Sequence, residues 1–208
     1  MKKRIRPTAL SAFATLAPIH INNVTGNIMK KNIYYDELQQ YDFPDGKYLE
    51  RVADKFTPLI GLFMIKFSYL EHDLNLAIAD IFGDDYHSTG FVVIEKLTMA
   101  NKIDMFNKMY ANLEFYTDQK SKTVLNKIVE EITILNTFRN NIVHANWQTL
   151  TKTGFVRSKI VVDNQDGLVK FKNVEMQTKI IRQMIRRIDK LLDHLDEYKE
   201  KVFNNLHA

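Results

Sequence analysis

"SKTVLNKIVEEITILNTFRNNIVHANW", Ser121 to Trp147, carries Val124, Leu125, Ile128, Ile132, Leu135, Phe138 and Ile142 at three- and four-residue spacing. That period is the repeat of an amphipathic helix with one apolar side turned to a core. A helix from about Lys120 to Trp147 is expected, and such a helix needs other elements to cover its apolar side. At roughly 100° per residue, Arg139 falls in the middle of the stripe. Asn140 and His144 stack one turn apart, with His144 on roughly the opposite face. An arginine among apolar side chains is costly unless its charge is paired and its donors are satisfied.

Upstream, Phe56, Ile60, Phe63, Phe67, Leu70, Leu74, Ile78 and Ile81 repeat the same period from Leu49 to Phe82. Gly83 and Asp84–Asp85 end that helix. Pro58 near its beginning requires a first turn or a kink. Glu71 lies within its apolar face, between Phe67, Leu70 and Leu74. Two long helices thus each carry one opposite charge on the side that should face the core. The expectation is that Glu71 and Arg139 meet, directly or through Asn140.

"GFVVIEKL", Gly90 to Leu97, reads equally as a short strand or a helix start. A helix from about Thr98 to Phe115 follows, with Ile103, Phe106, Met109, Tyr110 and Leu113 on one side. Beyond Trp147 the period changes. "GFVRSKIVV", the turn-like "DNQDG" and "LVKFKNV" read as a β-hairpin over about 153–174. The last helix, about Glu175 to Asn205, has Ile180, Ile181, Met184, Ile188, Leu191, Leu195, Tyr198 and Val202 as its stripe. Its basic run "RQMIRRIDK" reads as a solvated face, with an RNA-facing strip as the other reading.

The expected fold is mainly α: one helical domain over 47–208, with a hairpin inserted before a long C-terminal helix, preceded by a leader over 1–46. The 208 residues, 45% of them hydrophobic, suffice for a core, and 7 Gly with 4 Pro leave little room for a turn-rich all-β fold. With no Cys, disulfides, thiolate metal sites and cysteine nucleophiles are excluded. The net charge of +4 permits a nucleic-acid partner without demanding one. No apolar run approaches the roughly 18 residues that span a bilayer, so a cytoplasmic protein with no membrane partner is expected. "MKKRIR" followed by "TALSAFATLAPI" has the outline of a secretory signal, but its Ser and Thr content and lack of a leucine core read as a tail. Met29 offers an internal start.

"RNNIVH" places an arginine, a polar residue directly after it, and a histidine five positions beyond the arginine near the end of a long helix. In this it resembles the signature of HEPN-domain proteins, with Asn140 in the polar slot. The earlier helix with "FSYLEHDLN" and the long closing helix extend the resemblance over about Lys47 to Asn205. The resemblance implies a metal-independent endoribonuclease of prokaryotic defence, a toxin or abortive-infection effector, with Arg139, Asn140 and His144 catalytic and Glu71 and Asn141 supporting. It also implies a homodimer that pairs two motifs at one cleft, and an antitoxin or defence-system partner. Some toxins of this kind carry a tyrosine, two residues after the histidine, that a partner nucleotidyltransferase modifies. Asn146 stands in that slot here, so the resemblance does not extend to that control.

The residue types suit the chemistry. Histidine, whose unperturbed pKa is about 6.5, exchanges protons at neutral pH. Arginine, planar and always charged, grips phosphate oxygens. An asparagine amide orients either group. A second copy of the chain would supply a second histidine, meeting the need for both an acid and a base. Phe138 and Trp147 fit the core or the interface between copies. No HExxH pattern or paired His/carboxylate ladder occurs, His72 between Glu71 and Asp73 shares a helix face with neither, and no Gly-rich phosphate loop exists. No metal or cofactor is expected. His20, His87, His194 and His207 read as surface residues. A reading of another class also fits: a non-catalytic helical module that binds RNA or a partner protein, its Arg–Asn–His set a buried polar network.

Overall fold

The computed structural model describes residues 31–34, 46–83, 87–113, 119–150, 154–162, 164 and 167–206. Among them the chain is mainly helical, with a small antiparallel sheet before the final long helix. The helices are α1 (Gly46–Asp80), α2 (Ser88–Ile94), α3 (Met99–Leu113), α4 (Gln119–Val143) and α5 (Thr178–Leu206). The strands are β1 (Lys31–Tyr34), β2 (Phe155–Val162) and β3 (Val169–Glu175).

The four apolar stripes meet in one core. Phe63, Phe67, Leu70, Leu74 and Ile78 of α1 are buried against Ile181, Met184, Ile188, Leu191 and Leu195 of α5 and against Leu125, Ile128, Ile132, Leu135 and Phe138 of α4. Pro58 sits inside α1 without ending it. Both Pro58 and Asp54, whose carbonyl loses its amide partner, are exposed, so water can satisfy the orphaned oxygen. Tyr110 of α3 ties three helices together. Its ring lies 4.5 Å from that of Phe106 and 5.6 Å from that of Tyr198 on α5, and its hydroxyl donates to the Ala77 carbonyl of α1 at 3.1 Å. Burial, with Asp80 adding to it, pushes the phenol well above its ordinary pKa.

"GFVVIEKL" resolves as helix, its first residues lying in α2. Gly90 makes that possible. A Cβ there would meet the Ala79 Cα at 2.5 Å, so α2 lies directly on the backbone of α1.

The hairpin forms as expected and gains a third strand, in the order β1-β3-β2. Ile33, Phe171 and Ile160 share one cross-strand row, and the β2 register shifts between Arg157 and Lys159. β1 falls in the span expected to be leader. At 4 residues it is too short to show a period of its own. "MKKRIR", "TALSAFATLAPI" and Met29 lie outside the described residues, as does most of "DNQDG". Helix α5 begins at Thr178 because Glu175 is still paired with Phe155, accepts from the Gln177 amide, and is followed by Met176 N–H donating to the Gly154 carbonyl. No helix among the described residues is long and apolar enough to cross a membrane.

Candidate functional site

Helix α4 ends at Val143, four residues before the expected boundary at Trp147. The indole of Trp147 turns back and donates from Nε1 to the Ile142 carbonyl at 3.1 Å, a carbonyl of the last turn that also accepts from the Ala145 N–H at 3.3 Å. Its ring lies 5.7 Å from that of Phe56. Asn146 caps the 3-10 turn Trp147–Thr149, its side chain accepting from the Gln148 N–H at 3.1 Å. The Asn146 N–H donates to the Arg157 carbonyl at 2.6 Å, and the Thr149 hydroxyl accepts from the Arg157 N–H at 3.0 Å. The chain just past the motif is thereby fastened to β2. His144 is left on the last turn, exposed, its N–H donating to the Asn140 carbonyl at 3.0 Å.

Arg139, expected in the middle of the stripe, is half-buried. Its Nε is buried with no hydrogen-bond partner among the described residues, and its Nη1 donates to the Asn140 side-chain oxygen at 3.1 Å. The stem lies along the core and the head turns towards the exposed Asn140, which stands about 100° of the wheel closer to His144 than Arg139 does. No hydrogen bond or ion pair joins Arg139 to His144 within the described residues. Asn141 is half-buried and makes no side-chain hydrogen bond there.

The expected pair between Glu71 and Arg139 is not formed. Phe63 meets Phe138 edge-on at 5.2 Å and Phe56 meets Trp147, so α1 and α4 run antiparallel with Arg139 opposite the turn around Phe63. Glu71 lies eight residues further along α1, about 12 Å at 1.5 Å per residue. Its Oε1 is taken instead by Lys102 of α3 at 2.7 Å, and that lysine is itself buried. The wheel puts both charges in apolar faces, where each residue is half-buried, but carries no information on which turns of two helices face each other.

The buried arginine that does find a carboxylate is Arg187 on α5. It holds Glu131 on α4 through Nε and Nη2 at 2.5 Å each. The signal is present in the sequence: Glu131 has Ile128 and Leu135 at −3 and +4, and Arg187 has Met184 and Leu191 at the same offsets. Lys102 and Arg187 are therefore committed to ion pairs between helices. Arg157 is partly committed as well, its guanidinium lying 5.2 Å over the Phe171 ring. Burial lowers its pKa.

Phe138 is buried and Trp147 packs on the core, so both serve packing. His72 is exposed. His87, expected to be a solitary surface residue, is half-buried in a left-handed conformation with its Nδ1 3.5 Å from Asp80. His194 is half-buried, and His20 and His207 lie outside the described residues. Among the described residues no cluster of three His, Asp or Glu side chains is arranged to hold a metal ion. No protein-family model, no curated protein and no solved structure matches the chain. Function is therefore read from the residues and their geometry.

Proposed function

We propose that the chain is a metal-independent endoribonuclease of the HEPN type, working as a two-fold dimer. The observation that carries this reading is Arg139. Burying its Nε without a partner costs on the order of 1–3 kcal/mol, and among the described residues no carboxylate pairs with the charge that is held there. A cation kept half out of the core beside Asn140, one turn from an exposed histidine, suits a phosphate that arrives from outside.

In the proposed reaction the RNA 2′-hydroxyl loses its proton to the His144 imidazole of one copy as its oxygen attacks phosphorus. The P–O5′ bond breaks, and the departing oxygen takes a proton from the imidazolium of the second copy. The products are a 2′,3′-cyclic phosphate and a 5′-hydroxyl. Both Arg139 guanidinium groups neutralise the phosphorane, and Asn140 orients its own arginine through the bond it already accepts. Val143, 47% exposed between these residues, offers apolar contact at the two-fold axis. Cytoplasmic action as a toxin or abortive-infection effector, restrained by an antitoxin or defence-system partner, goes with this reading.

Purified chain incubated with RNA in chelator should yield 2′,3′-cyclic ends, and His144→Ala should abolish them with the fold unchanged. Cleavage that persists in His144→Ala overturns the reading. One observation favours the second reading, a non-catalytic module binding RNA or a protein: Arg139 and His144 do not touch within one chain. Salt-dependent RNA binding by a wild type that never cleaves would establish it.

A further inference from the structure

With Arg187 committed to Glu131, the basic run of α5 resolves into a single row. Lys179, Arg182, Arg186 and Lys190 are all exposed. Their spacing of three, four and four residues keeps them within about 80° of one another, in a line about 16 Å long. None of the four forms an ion pair among the described residues, whereas Lys66, Lys102, Lys108, Arg187 and Lys199 all do.

The order of charge along α5 opposes the helix dipole. The N-terminal half carries the four exposed cations and the C-terminal half carries exposed Asp193, Asp196, Glu197 and Glu200 beside the half-buried Lys199 and Lys201, with no acid in the first turn and no base in the last. A helix dipole favours the reverse arrangement. The row therefore does not serve the helix that bears it. It does share an end of the bundle with the motif. Asn146 is bonded to Arg157 on β2, Phe155 is paired with Glu175, and α5 starts three residues later, while the Glu131–Arg187 contact sets α4 and α5 antiparallel.

We infer that Lys179, Arg182, Arg186 and Lys190 form the docking strip for the RNA phosphate backbone, delivering a strand to the Arg139–His144 surface. RNA, rather than another polyanion, rests on the ribonuclease reading above. An anionic membrane fits less well, because the apolar side of α5 (Ile181, Met184, Ile188, Leu191) is buried and none is left to enter lipid.

The test is fluorescence anisotropy with labelled single-stranded RNA of mixed sequence, using full-length His144→Ala as a background that does not cut. Replacing all four cations by Gln should weaken binding at least about tenfold and reduce the slope of log K against log salt by about 3. Arg182→Gln/Arg186→Gln should lose about half of that slope. A control carrying Lys55→Gln, Lys96→Gln, Lys122→Gln and Lys127→Gln removes the same charge from exposed sites off the row and should retain affinity within about threefold. Far-UV circular dichroism verifies that each variant is folded. An unchanged slope in the row variant, or an equal loss in the control, overturns the inference. So does row-dependent binding to phosphatidylserine vesicles or polyglutamate with none to RNA. Row-dependent RNA binding by a wild type that never cleaves keeps the strip and removes the nuclease, while cleavage with KM unaffected by the row variant does the opposite.

Discussion

Arg187 and Glu131 form a two-pronged ion pair between α5 and α4, with side chains 8% and 21% exposed. It joins the C-terminal helix to the helix that carries the candidate site. Removing one partner of a buried pair costs more than removing both, because the survivor keeps its desolvation penalty. Arg187→Ala should therefore lower stability by about 3–5 kcal/mol, whereas Arg187→Met with Glu131→Met should recover most of the loss. Urea unfolding at neutral pH measures both. Equal losses in the single and double variants would show that the two groups are not coupled.

Gly90→Ala tests how closely α2 approaches α1. The added methyl would meet the Ala79 Cα and Cβ at 2.5 and 2.7 Å, both on a helix that cannot yield locally. Overpacking of this kind costs about 1–3 kcal/mol. A thermal midpoint unchanged from wild type would mean that the two helices are further apart.

How much of this is legible in the sequence follows from what a helical period encodes. The wheel finds the buried faces of α1, α3, α4 and α5, because burial is a property of one helix at a time. It puts Arg139 in the middle of the stripe, where the fold buries the Nε and turns the head out to Asn140. Partner choice is a property of two helices, fixed by ring contacts such as Phe63 with Phe138, and no single-helix pattern contains it. Hence the stripes alone pair Glu71 with Arg139, while the fold gives Glu71 to Lys102. The end of α4 escapes the period for a related reason. "VHANW" continues a helical spacing, and only the Asn146–Arg157 bridge to a strand that comes later in the chain shows why the helix stops. Whether His144 meets a second histidine lies between two chains, beyond what either a period or one folded chain holds.

Trp147 should link stability to the site. Trp147→Phe keeps a ring against Phe56 but loses the bond to the Ile142 carbonyl, a loss of about 1 kcal/mol. Trp147→Ala also empties the contact and should lose about 3–5 kcal/mol. Because that bond spans the segment that carries His144, Trp147→Phe should cut RNA cleavage by more than its small stability change explains. Cleavage at wild-type rate in this variant would separate the indole from the positioning of His144.

Alkaline pH should unfold the protein in a way that traces to Tyr110. Burial raises its pKa in the folded state, so the phenol stays neutral there while the unfolded chain ionises at about pH 10. A raised folded pKa means the contribution is complete below the unfolded value and is lost as pH climbs past it. Lys66, raised by its hydrogen bond to Asp189 and then by that group's charge, acts with the same sign over the same range. The urea midpoint should fall from about pH 9 to about pH 11, less steeply in Tyr110→Phe, with the remaining slope reduced further by Lys66→Met. Parallel curves for wild type and Tyr110→Phe would contradict the burial of the hydroxyl.

Sharing of one site between two copies has its own signature. His144→Ala should be inactive alone. After wild type and His144→Ala are mixed in equal amounts, partially unfolded and refolded together, about half of the dimers combine one chain of each kind if assembly is random. Such a dimer holds one histidine at the axis and lacks either the acid or the base, so only pure wild-type dimers should cleave. Activity should then follow the square of the wild-type fraction, about a quarter of the starting rate at equal amounts. Chains that act alone would each keep their own activity, and the fall would be linear, to about half. If the fall is linear while an affinity tag on one chain shows that mixed dimers have formed, each chain needs only its own groups, and a cleft shared across the two-fold axis is ruled out.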